Sequence, residues 1–308
     1  ALGGNVFPIN GCRVDHGSIE SIGLPQRFLA RVQLVEYMRA FMCARLGWDY
    51  LNALLIISGA FGLFRKERVV AVGGYLTSSG PYQRDTVGED MELVVRLARH
   101  MREHKLKYRI SYAYNANCWT EVPEDLTSLR KQRNRWHRGL IDIMHVHRKM
   151  LFNPRYGPAG TLAMPYYLLI EMIGPLFEIQ GYLMVILAAL FGMLSFRLAL
   201  LLFLTAVLMG ILVSMMAVRI AEHHAGYFGY RETLTMLWTA FIENFGPRQM
   251  FSIWRVFGFL NAMKKPVGWQ KFDRIGFGKS AAPQQKADTR KDPNTPQPAK
   301  SGAGSSGR

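Results

Sequence analysis

The longest uncharged stretch of the chain constrains its fold more than any other feature. Between Arg197 and Arg219, the 21 residues Leu198 to Val218 carry no charge. A helix of about 20 residues crosses the ~30 Å hydrocarbon core of a bilayer, so this run is long enough to span a membrane. Another 18 uncharged residues, Ile179 to Phe196, precede it. Because the turn between the two runs is short, the sequence predicts an antiparallel pair of membrane helices.

The composition of the 308 residues excludes several classes of protein. Hydrophobic residues make up 49% of the chain, and 38 Lys and Arg outnumber 22 Asp and Glu, which gives a formal charge of +16. A disordered chain has fewer apolar residues, and a compact nucleic-acid-binding protein usually has no long uncharged runs. The three cysteines, Cys12, Cys43 and Cys118, are too scattered to predict a disulfide framework. We therefore expect a basic soluble part joined to a membrane part, and no nucleic acid as partner.

Basic residues beside the apolar runs predict the orientation. Residues 93–157 contain 14 Lys and Arg but 5 Asp and Glu, and more basic residues follow Val218. Because basic loops stay in the cytoplasm, we expect a multi-pass protein of the inner cell membrane whose active site faces the cytoplasm. A third apolar stretch, Thr233 to Ala262, is interrupted by charges and by Gly246-Pro247. It predicts interfacial helices in contact with membrane lipid, with a third span as the alternative.

These patterns divide the chain into four parts. Residues 1–158 form the soluble part, residues 159–222 the transmembrane region, and residues 223–278 the cytoplasmic and interfacial helices. Residues 279–308 are rich in small and polar residues and contain almost no large apolar ones. Such a segment has too little apolar surface to build a core, so we expect a disordered basic tail.

The soluble part mixes strand and helix patterns. The apolar run Leu54 to Ile57 and the alternating residues from Tyr108 to Tyr114 predict strands. Apolar residues at helical spacing after Gly88 predict a helix between them. A second helix should begin at Pro123, because proline suits the first helical position and the two acids that follow suit the first turn. The expected fold class is therefore α/β, followed by a transmembrane helical hairpin and interfacial helices.

Two groups of residues could carry chemistry. Glu89 and Asp90 lie in the first turn of the first predicted helix, where acids are also ordinary helix-stabilising residues. Gln132, Arg135 and Trp136 share one face of the second helix. That face offers an amide, a guanidinium suited to a diphosphate and a flat ring suited to a sugar. The alternative is a solvated basic helix with a tryptophan at the membrane surface.

The order of these motifs resembles that of the membrane-bound family-two inverting glycosyltransferases, such as the cellulose and hyaluronan synthases. The resemblance runs over roughly residues 50 to 220, from Ser58-Gly59-Ala60 through Glu89-Asp90 and Gln-x-x-Arg-Trp at 132–136 to the membrane runs. It implies the acceptor-side part of a GT-A fold. It also implies sugar transfer from a nucleotide-sugar donor to a glycan or lipid acceptor, in polysaccharide biosynthesis.

The resemblance also assigns roles to individual residues. Asp90, beside Glu89, matches the general base of the family's Glu-Asp motif. Gln132, Arg135 and Trp136 match the motif that contacts the acceptor and the nucleotide diphosphate. An inverting transfer needs one base near the acceptor hydroxyl and a stabilised leaving group, which these residue types provide.

Two departures from the family pattern limit the comparison. Ser58 and Gly59 fall where the cellulose synthases place a Cys-Gly-Ser segment near the acceptor sugar. No Asp-x-Asp motif for metal and nucleotide occurs in the chain. We therefore expect the C-terminal portion of a larger enzyme, whose divalent cation, Mg²⁺ or Mn²⁺, has its ligands outside this chain.

Other functions stay open at this point. One is a non-processive transferase that acts on a lipid or protein acceptor, and another is a non-catalytic membrane subunit of a polysaccharide secretion complex. Glu171 and Glu178 lie seven residues apart on one presumed helical face. Acids at membrane depth are often functional, so these two would line a polymer path, or else lie on an interfacial segment.

Overall fold

The structure is a computed structural model that describes residues 1–77 and 85–262. The predicted disordered tail, residues 279–308, and the end of the predicted interfacial region lie outside the described residues. Strands and helices alternate up to residue 146, and only helical elements follow. The prediction of a mixed α/β part followed by a helical part is therefore confirmed.

A three-stranded sheet forms the centre of the soluble part. Strand β1 (Leu2–Pro8) lies between β4 (Gly62–Leu63), which is antiparallel to it, and β5 (Ser111–Thr120), which is parallel. The hairpin of β2 (Arg13–Asp15) and β3 (Ser18–Ser21) is a separate two-stranded sheet. All residues of β1 after the first are buried, as expected of a central strand.

The strand predicted at Leu54 to Ile57 is wrong. The segment is buried but belongs to no strand. A Cβ atom placed on Gly3 would lie 2.7 Å from the Cβ of Ile57, so the segment crosses closely over β1. It then turns at residues 58–61 and enters the sheet only through β4. The apolar run indicated burial correctly, but burial alone does not distinguish a strand from a loop packed in the core.

The two predicted helices are present, one of them with a different start. Helix α4 (Glu89–Glu103) begins directly after Gly88, as predicted. Helix α5 (Leu126–Val146) begins three residues after Pro123. Asp125 is its N-cap, and the Asp125 side chain accepts a hydrogen bond from the backbone N–H three residues later at 2.8 Å. A capping carboxylate satisfies a backbone donor that would otherwise be unpaired, and therefore sets the start of the helix.

A continuous helical rod packs against β1. It consists of α1 (Phe28–Tyr37), a π-helical segment (Met38–Arg45) and α2 (Leu46–Tyr50). Helix α3 (Lys66–Ala71) is short and contacts α4. The strand predicted from Tyr108 begins later, at Ser111, because its pairing with β1 starts there.

Two helical segments are long and apolar enough to cross a membrane. They cover Ala159–Leu190 and Phe196–Ala225, and little of either is buried within the protein. The first contains π-helical turns around α6 (Met164–Tyr166) and then the regular helix α7 (Gly174–Leu190). The second is α8 (Phe196–Ala225). The predicted pair of apolar helices joined by a short turn is thus present.

The third apolar stretch forms two shorter helices. Helices α9 (Tyr230–Ile242) and α10 (Pro247–Ala262) have 13 and 16 residues. Helix α9 is shorter than the ~20 residues that a membrane span requires, and α10 is described as far as Ala262, the last described residue. The chain breaks between them at Gly246, whose φ of 121° suits glycine. Helix α9 packs against α1 and α8, while α10 packs against α5 and α7.

Two glycines allow α4 and α5 to approach closely. A Cβ atom on Gly139 would lie 3.0 Å from both the N and the Cα atom of Gly88. A Cβ atom on Gly88 would lie 3.0 Å from the Cδ1 of Ile143 and 3.2 Å from the Cα of Gly139. Contacts of 3.0 to 3.2 Å are tighter than most real Cβ contacts, so the neighbouring backbone would have to move by a few tenths of an ångström. The glycine contact therefore places the first turn of α4 against the middle of α5.

We predict that Gly139→Ala lowers the stability of the protein by about 1 to 3 kcal/mol, because the new methyl group would overlap the backbone of Gly88. Gly47→Ala is the matched control, since Gly47 is also helical and nothing lies within 4 Å of its added Cβ. Thermal unfolding in detergent measures both variants. An unchanged Tm for Gly139→Ala would contradict the close helix contact.

Candidate active site

The carboxylate of Asp90 is tied to the turn at residues 58–61. Its Oδ2 accepts a hydrogen bond from the backbone N–H of Gly59 at 2.9 Å, and its Oδ1 accepts one from the N–H of Met91 at 2.8 Å. A Cβ atom on Gly59 would lie 3.1 Å from the same Oδ2. The Oγ of Ser58 accepts a hydrogen bond from the N–H of Ala60 at 3.3 Å, which stabilises the turn. The structure therefore brings Ser58, Gly59 and Asp90 together.

Glu89 and Tyr75 lie beside Asp90. The Oε2 of Glu89 is buried and has no hydrogen-bond partner among the described residues. Burial raises the pKa of the Tyr75 phenol, and the charges of Asp90 and Glu89 raise it further. Tyr75 is half exposed. Its proximity to both acids is a feature that the sequence pattern did not reveal, although Tyr75 directly follows two glycines of positive φ.

Gln132, Arg135 and Trp136 lie along one face of α5, as predicted. Gln132 is buried, and its Oε1 atom has no hydrogen-bond partner in the described part of the chain. Arg135 is half-buried, and the Trp136 side chain is 41% exposed. Gly139 lies on the same face of α5, because it follows Gln132 by seven residues, Arg135 by four and Trp136 by three. Because Gly139 contacts the residue before Glu89, this face of α5 leads directly to the acids at the start of α4.

Arg133, between the predicted site residues, has a packing role that the sequence did not indicate. It is almost fully buried and makes a two-pronged ion pair with Glu36 of α1. Its guanidinium carbon lies 4.9 Å from the ring centroid of Trp136 and 4.8 Å from that of Phe251. Burial would raise the pKa of Glu36, but the charge and hydrogen bonds of Arg133 hold it below its usual value. Arg133 therefore joins α5 to α1 and α10 and stabilises the orientation of Trp136.

His137 is the buried residue next to the Gln-x-x-Arg-Trp motif. Burial, assisted by the charge of Arg255, lowers its pKa to about 4, so the imidazole is neutral at physiological pH. A Cβ atom on Gly258 of α10 would lie 3.1 Å from the Cβ of His137. The close approach of α10 thus excludes water from this imidazole.

Helix α10 also contacts the two acids, Glu171 and Glu178, in the middle of the first apolar segment. The Ser252 hydroxyl donates a hydrogen bond to Glu178 at 2.5 Å, and Arg255 lies 3.4 Å from Glu171. Tyr182 and Tyr166 donate further hydrogen bonds to Glu178 and Glu171, at 2.6 and 3.1 Å. Both acids are thus paired within the protein. Their predicted role along a polymer path, or on an interfacial segment, stays a prediction.

A second connection joins the rod of α1 and its π-helical extension to the membrane helices. Arg39 donates hydrogen bonds to Ser214 of α8 at 2.7 Å and to Glu243 at 2.5 Å. The Ser214 hydroxyl donates to the same Glu243 oxygen at 2.6 Å. Ser214 and Glu243 are almost fully buried, so this network is held in a low-dielectric environment where its hydrogen bonds are strong.

Within residues 1–77 and 85–262, no group of three or more His, Cys, Asp or Glu side chains is arranged to hold a metal ion. Glu89 and Asp90 supply two neighbouring carboxylates. Mg²⁺ demands near-octahedral coordination, mostly by oxygen atoms. The described residues therefore do not fit a complete cation site, and we assign no catalytic step to a metal. The location of the cation ligands outside this chain stays a prediction.

Comparison with known proteins matches residues 14–218 to the model of a family described as glycosyl transferase family group 2. A poly-beta-1,6-N-acetyl-D-glucosamine synthase of Staphylococcus aureus is 36% identical over 116 residues, which are 38% of this chain and 25% of that protein. The protein of the same name from Staphylococcus epidermidis is 33% identical over 116 residues, with the same coverage. The chain thus spans a quarter of the length of these curated relatives.

We predict that Glu36→Gln lowers the Tm by about 5 °C or more, because it leaves the buried guanidinium of Arg133 without its counter-charge. Glu20→Gln is the control, since the pair of Glu20 with Arg13 is exposed and should contribute little. Thermal unfolding in detergent at pH 7.5 compares them. If the two substitutions lower the Tm equally, the buried ion pair contributes no more to stability than the exposed one.

His137 should make stability depend on pH. Its folded-state pKa of about 4 lies below the ordinary value of about 6.5, so the unfolded chain binds the proton more readily. The contribution of the neutral imidazole is therefore complete above about pH 6.5 and is lost as the pH falls toward 4. We predict that His137→Gln flattens the decrease of Tm between pH 6.5 and 4.5.

His16→Gln is the matched control for this measurement, because the His16 side chain is 92% exposed. It should leave the pH dependence of the Tm unchanged. The assignment to His137 is wrong if the His137→Gln variant follows the wild-type curve over the whole range.

Proposed function

The chain belongs to glycosyl transferase family group 2, as its motifs predicted, and on this premise we propose that it transfers a sugar from a nucleotide-sugar donor to a growing glycan with inversion at the anomeric carbon. The observation that carries the proposal is the meeting of three elements. The backbone of the Ser58-Gly59 turn donates a hydrogen bond to Asp90. The start of α4, which contains Asp90, contacts α5 where Gly88 meets Gly139. These are the segments that the resemblance assigns to acceptor, base and diphosphate.

Asp90 is the general base in this proposal. An acceptor hydroxyl loses its proton to the carboxylate as its oxygen attacks the anomeric carbon of the donor. The bond from that carbon to the diphosphate breaks on the opposite face, and a nucleoside diphosphate leaves. Backbone N–H groups of Gly59 and Met91 hold the two carboxylate oxygens, so the base is oriented before the acceptor binds.

The face of α5 would receive the donor. The Arg135 guanidinium suits the leaving diphosphate through its fork of donors. Gln132 would donate or accept hydrogen bonds at the sugar or diphosphate, and its buried Oε1 atom, without a partner among described residues, is consistent with a role toward ligand. The exposed ring of Trp136 offers a flat apolar surface to a sugar. Glu89 would support Asp90 from the same helical turn.

The soluble part would form the acceptor-side portion of a GT-A fold. The two apolar helices would cross the inner membrane, with the site on the cytoplasmic side, and the basic residues that flank the spans support this orientation. Members of this family generally use a divalent cation, and here Mg²⁺ or Mn²⁺ would be held by residues other than those described. The curated relatives are named for a polymer of N-acetylglucosamine, so UDP-N-acetylglucosamine is the donor to test first.

We predict that Asp90→Asn lowers the transfer rate about 10³-fold, because the amide cannot accept the acceptor proton. The amide keeps one acceptor oxygen, so one of the two backbone N–H groups loses its partner and the Tm should fall modestly while the protein still accumulates in membranes. The assay measures incorporation of radiolabelled N-acetylglucosamine by membranes from cells that express the protein at its natural length. Asp15→Asn, in the exposed β2 strand, is the control with the same chemical change.

Retention of more than a tenth of wild-type transfer by Asp90→Asn would refute the base assignment. The size of the wild-type product tests the processive form of the proposal. A polymer supports it, and single-sugar adducts on lipid or protein would replace it with a non-processive transferase.

A further inference from the structure

The turn that is hydrogen-bonded to Asp90 carries an exposed aromatic ring. The backbone N–H of Phe61 donates to the carbonyl oxygen of Ser58 at 3.2 Å and closes this turn. Within it, the N–H of Gly59 donates to the Asp90 carboxylate at 2.9 Å. A step of two residues spans at most about 7 Å of backbone, so Phe61 begins within roughly 10 Å of the base. A single bound sugar can bridge that distance.

The Phe61 ring is seated on a glycine of the central strand. A Cβ atom on Gly4 of β1 would lie 2.5 Å from the Cε1 and 2.7 Å from the Cδ1 of this ring. It would also lie 2.5 Å from the carbonyl oxygen of Ala116 in β5. Glycine weakens a strand, because it has no side chain to pack and loses more backbone freedom on folding. Here it leaves room for one edge of the ring, which is thereby held in place.

The turn leaves space beside the ring. Phe61 is 36% exposed although one of its edges packs on β1. Gly59, Ala60 and Gly62 are exposed as well, and none of them has a side chain larger than a methyl group. Single exposed apolar residues are common on protein surfaces. What distinguishes Phe61 is that its turn also binds the carboxylate of the proposed base.

We propose that Phe61 is a specificity-determining residue that stacks on the acceptor sugar beside Asp90. Sugars of the gluco series, N-acetylglucosamine among them, have their polar groups at the rim of the ring and C–H bonds on its faces. An aromatic ring suits such a face, and a ring that is already held in place loses little freedom on binding. Stacking leaves the hydroxyl groups at the rim free to face Asp90. This inference rests on the proposed function of Asp90, which makes the neighbouring sugar the acceptor.

Binding of a sugar chain to the protein at its natural length tests the inference. The probe is a pentamer of β-1,6-linked N-acetylglucosamine, titrated calorimetrically into the protein in detergent without donor. Phe61→Leu keeps apolar bulk against Gly4 but removes the flat face, so the Kd for the pentamer should rise about fivefold or more. The Kd for UDP with Mg²⁺ should stay that of the wild type. Phe61→Tyr keeps the ring and should bind the pentamer as the wild type does.

Phe28→Leu is the matched control, because Phe28 is 37% exposed and lies on a different element, at the start of α1. It should leave both dissociation constants unchanged. Wild-type affinity for the pentamer in Phe61→Leu would overturn the inference. An equal loss of affinity for the pentamer and for UDP would also overturn it, since it would show that Phe61 supports the structure of the whole site.

A fluorine label tests the contact without removing the ring. With 4-fluorophenylalanine at position 61, the ¹⁹F NMR signal should shift when the pentamer is added, and the same label at position 28 should not respond. An unmoved signal at position 61 would overturn the inference, even in an enzyme that transfers sugar. If the signal shifts but wild-type membranes make no product from UDP-N-acetylglucosamine, the sugar contact stands. In that case the proposed function fails, and with it the role of Phe61 toward an acceptor.

Discussion

The contact between Gly88 and Gly139 is the constraint on which the arrangement of the site depends. At this point α4 and α5 approach so closely that an added Cβ atom would meet backbone at 3.0 Å. The acids at the start of α4 and the polar face of α5 are separated by more than 40 residues in sequence. They lie together because neither helix carries a side chain at the crossing. The hydrogen bond from Gly59 to Asp90 then adds the third element.

Helix α10 extends this arrangement to the membrane. On one side it packs on α5, through Phe251 beneath Arg133 and Gly258 against His137. On the other side, Ser252 and Arg255 contact Glu178 and Glu171 in the middle of the first apolar segment. The same helix therefore fixes the distance between the candidate diphosphate-binding face and the apolar segment. The separate link from Arg39 to Ser214 and Glu243 holds the second apolar helix in the same way.

Local patterns predicted the features that depend on local structure. The start of α4, the pair of apolar helices and the shared face of Gln132, Arg135 and Trp136 follow from helical period and length. The order of the motifs was specific enough to indicate the family. The predicted start of α5 at Pro123 was wrong. Proline and a capping carboxylate both favour a helix start, and here the carboxylate of Asp125 determines where α5 begins.

Features that depend on distant contacts were not visible in the sequence. The segment at residues 54–57 looks like a strand, but its close packing over Gly3 excludes it from the sheet. Arg133 and Arg135 are equivalent as sequence letters, yet one is buried against Glu36 and the other lies on the candidate ligand-binding face.

The central claim is that Asp90 and the Gln132–Trp136 face of α5 form one site. A cryo-electron microscopy structure of the protein in lipid nanodiscs with bound UDP tests it most directly. The account predicts that the diphosphate lies within hydrogen-bond distance of Arg135, with the Asp90 carboxylate facing the position of the transferred sugar. A diphosphate bound away from α5, for example in the basic cavity of about 290 Å³ lined by Arg65, Arg68 and Lys107, would contradict it.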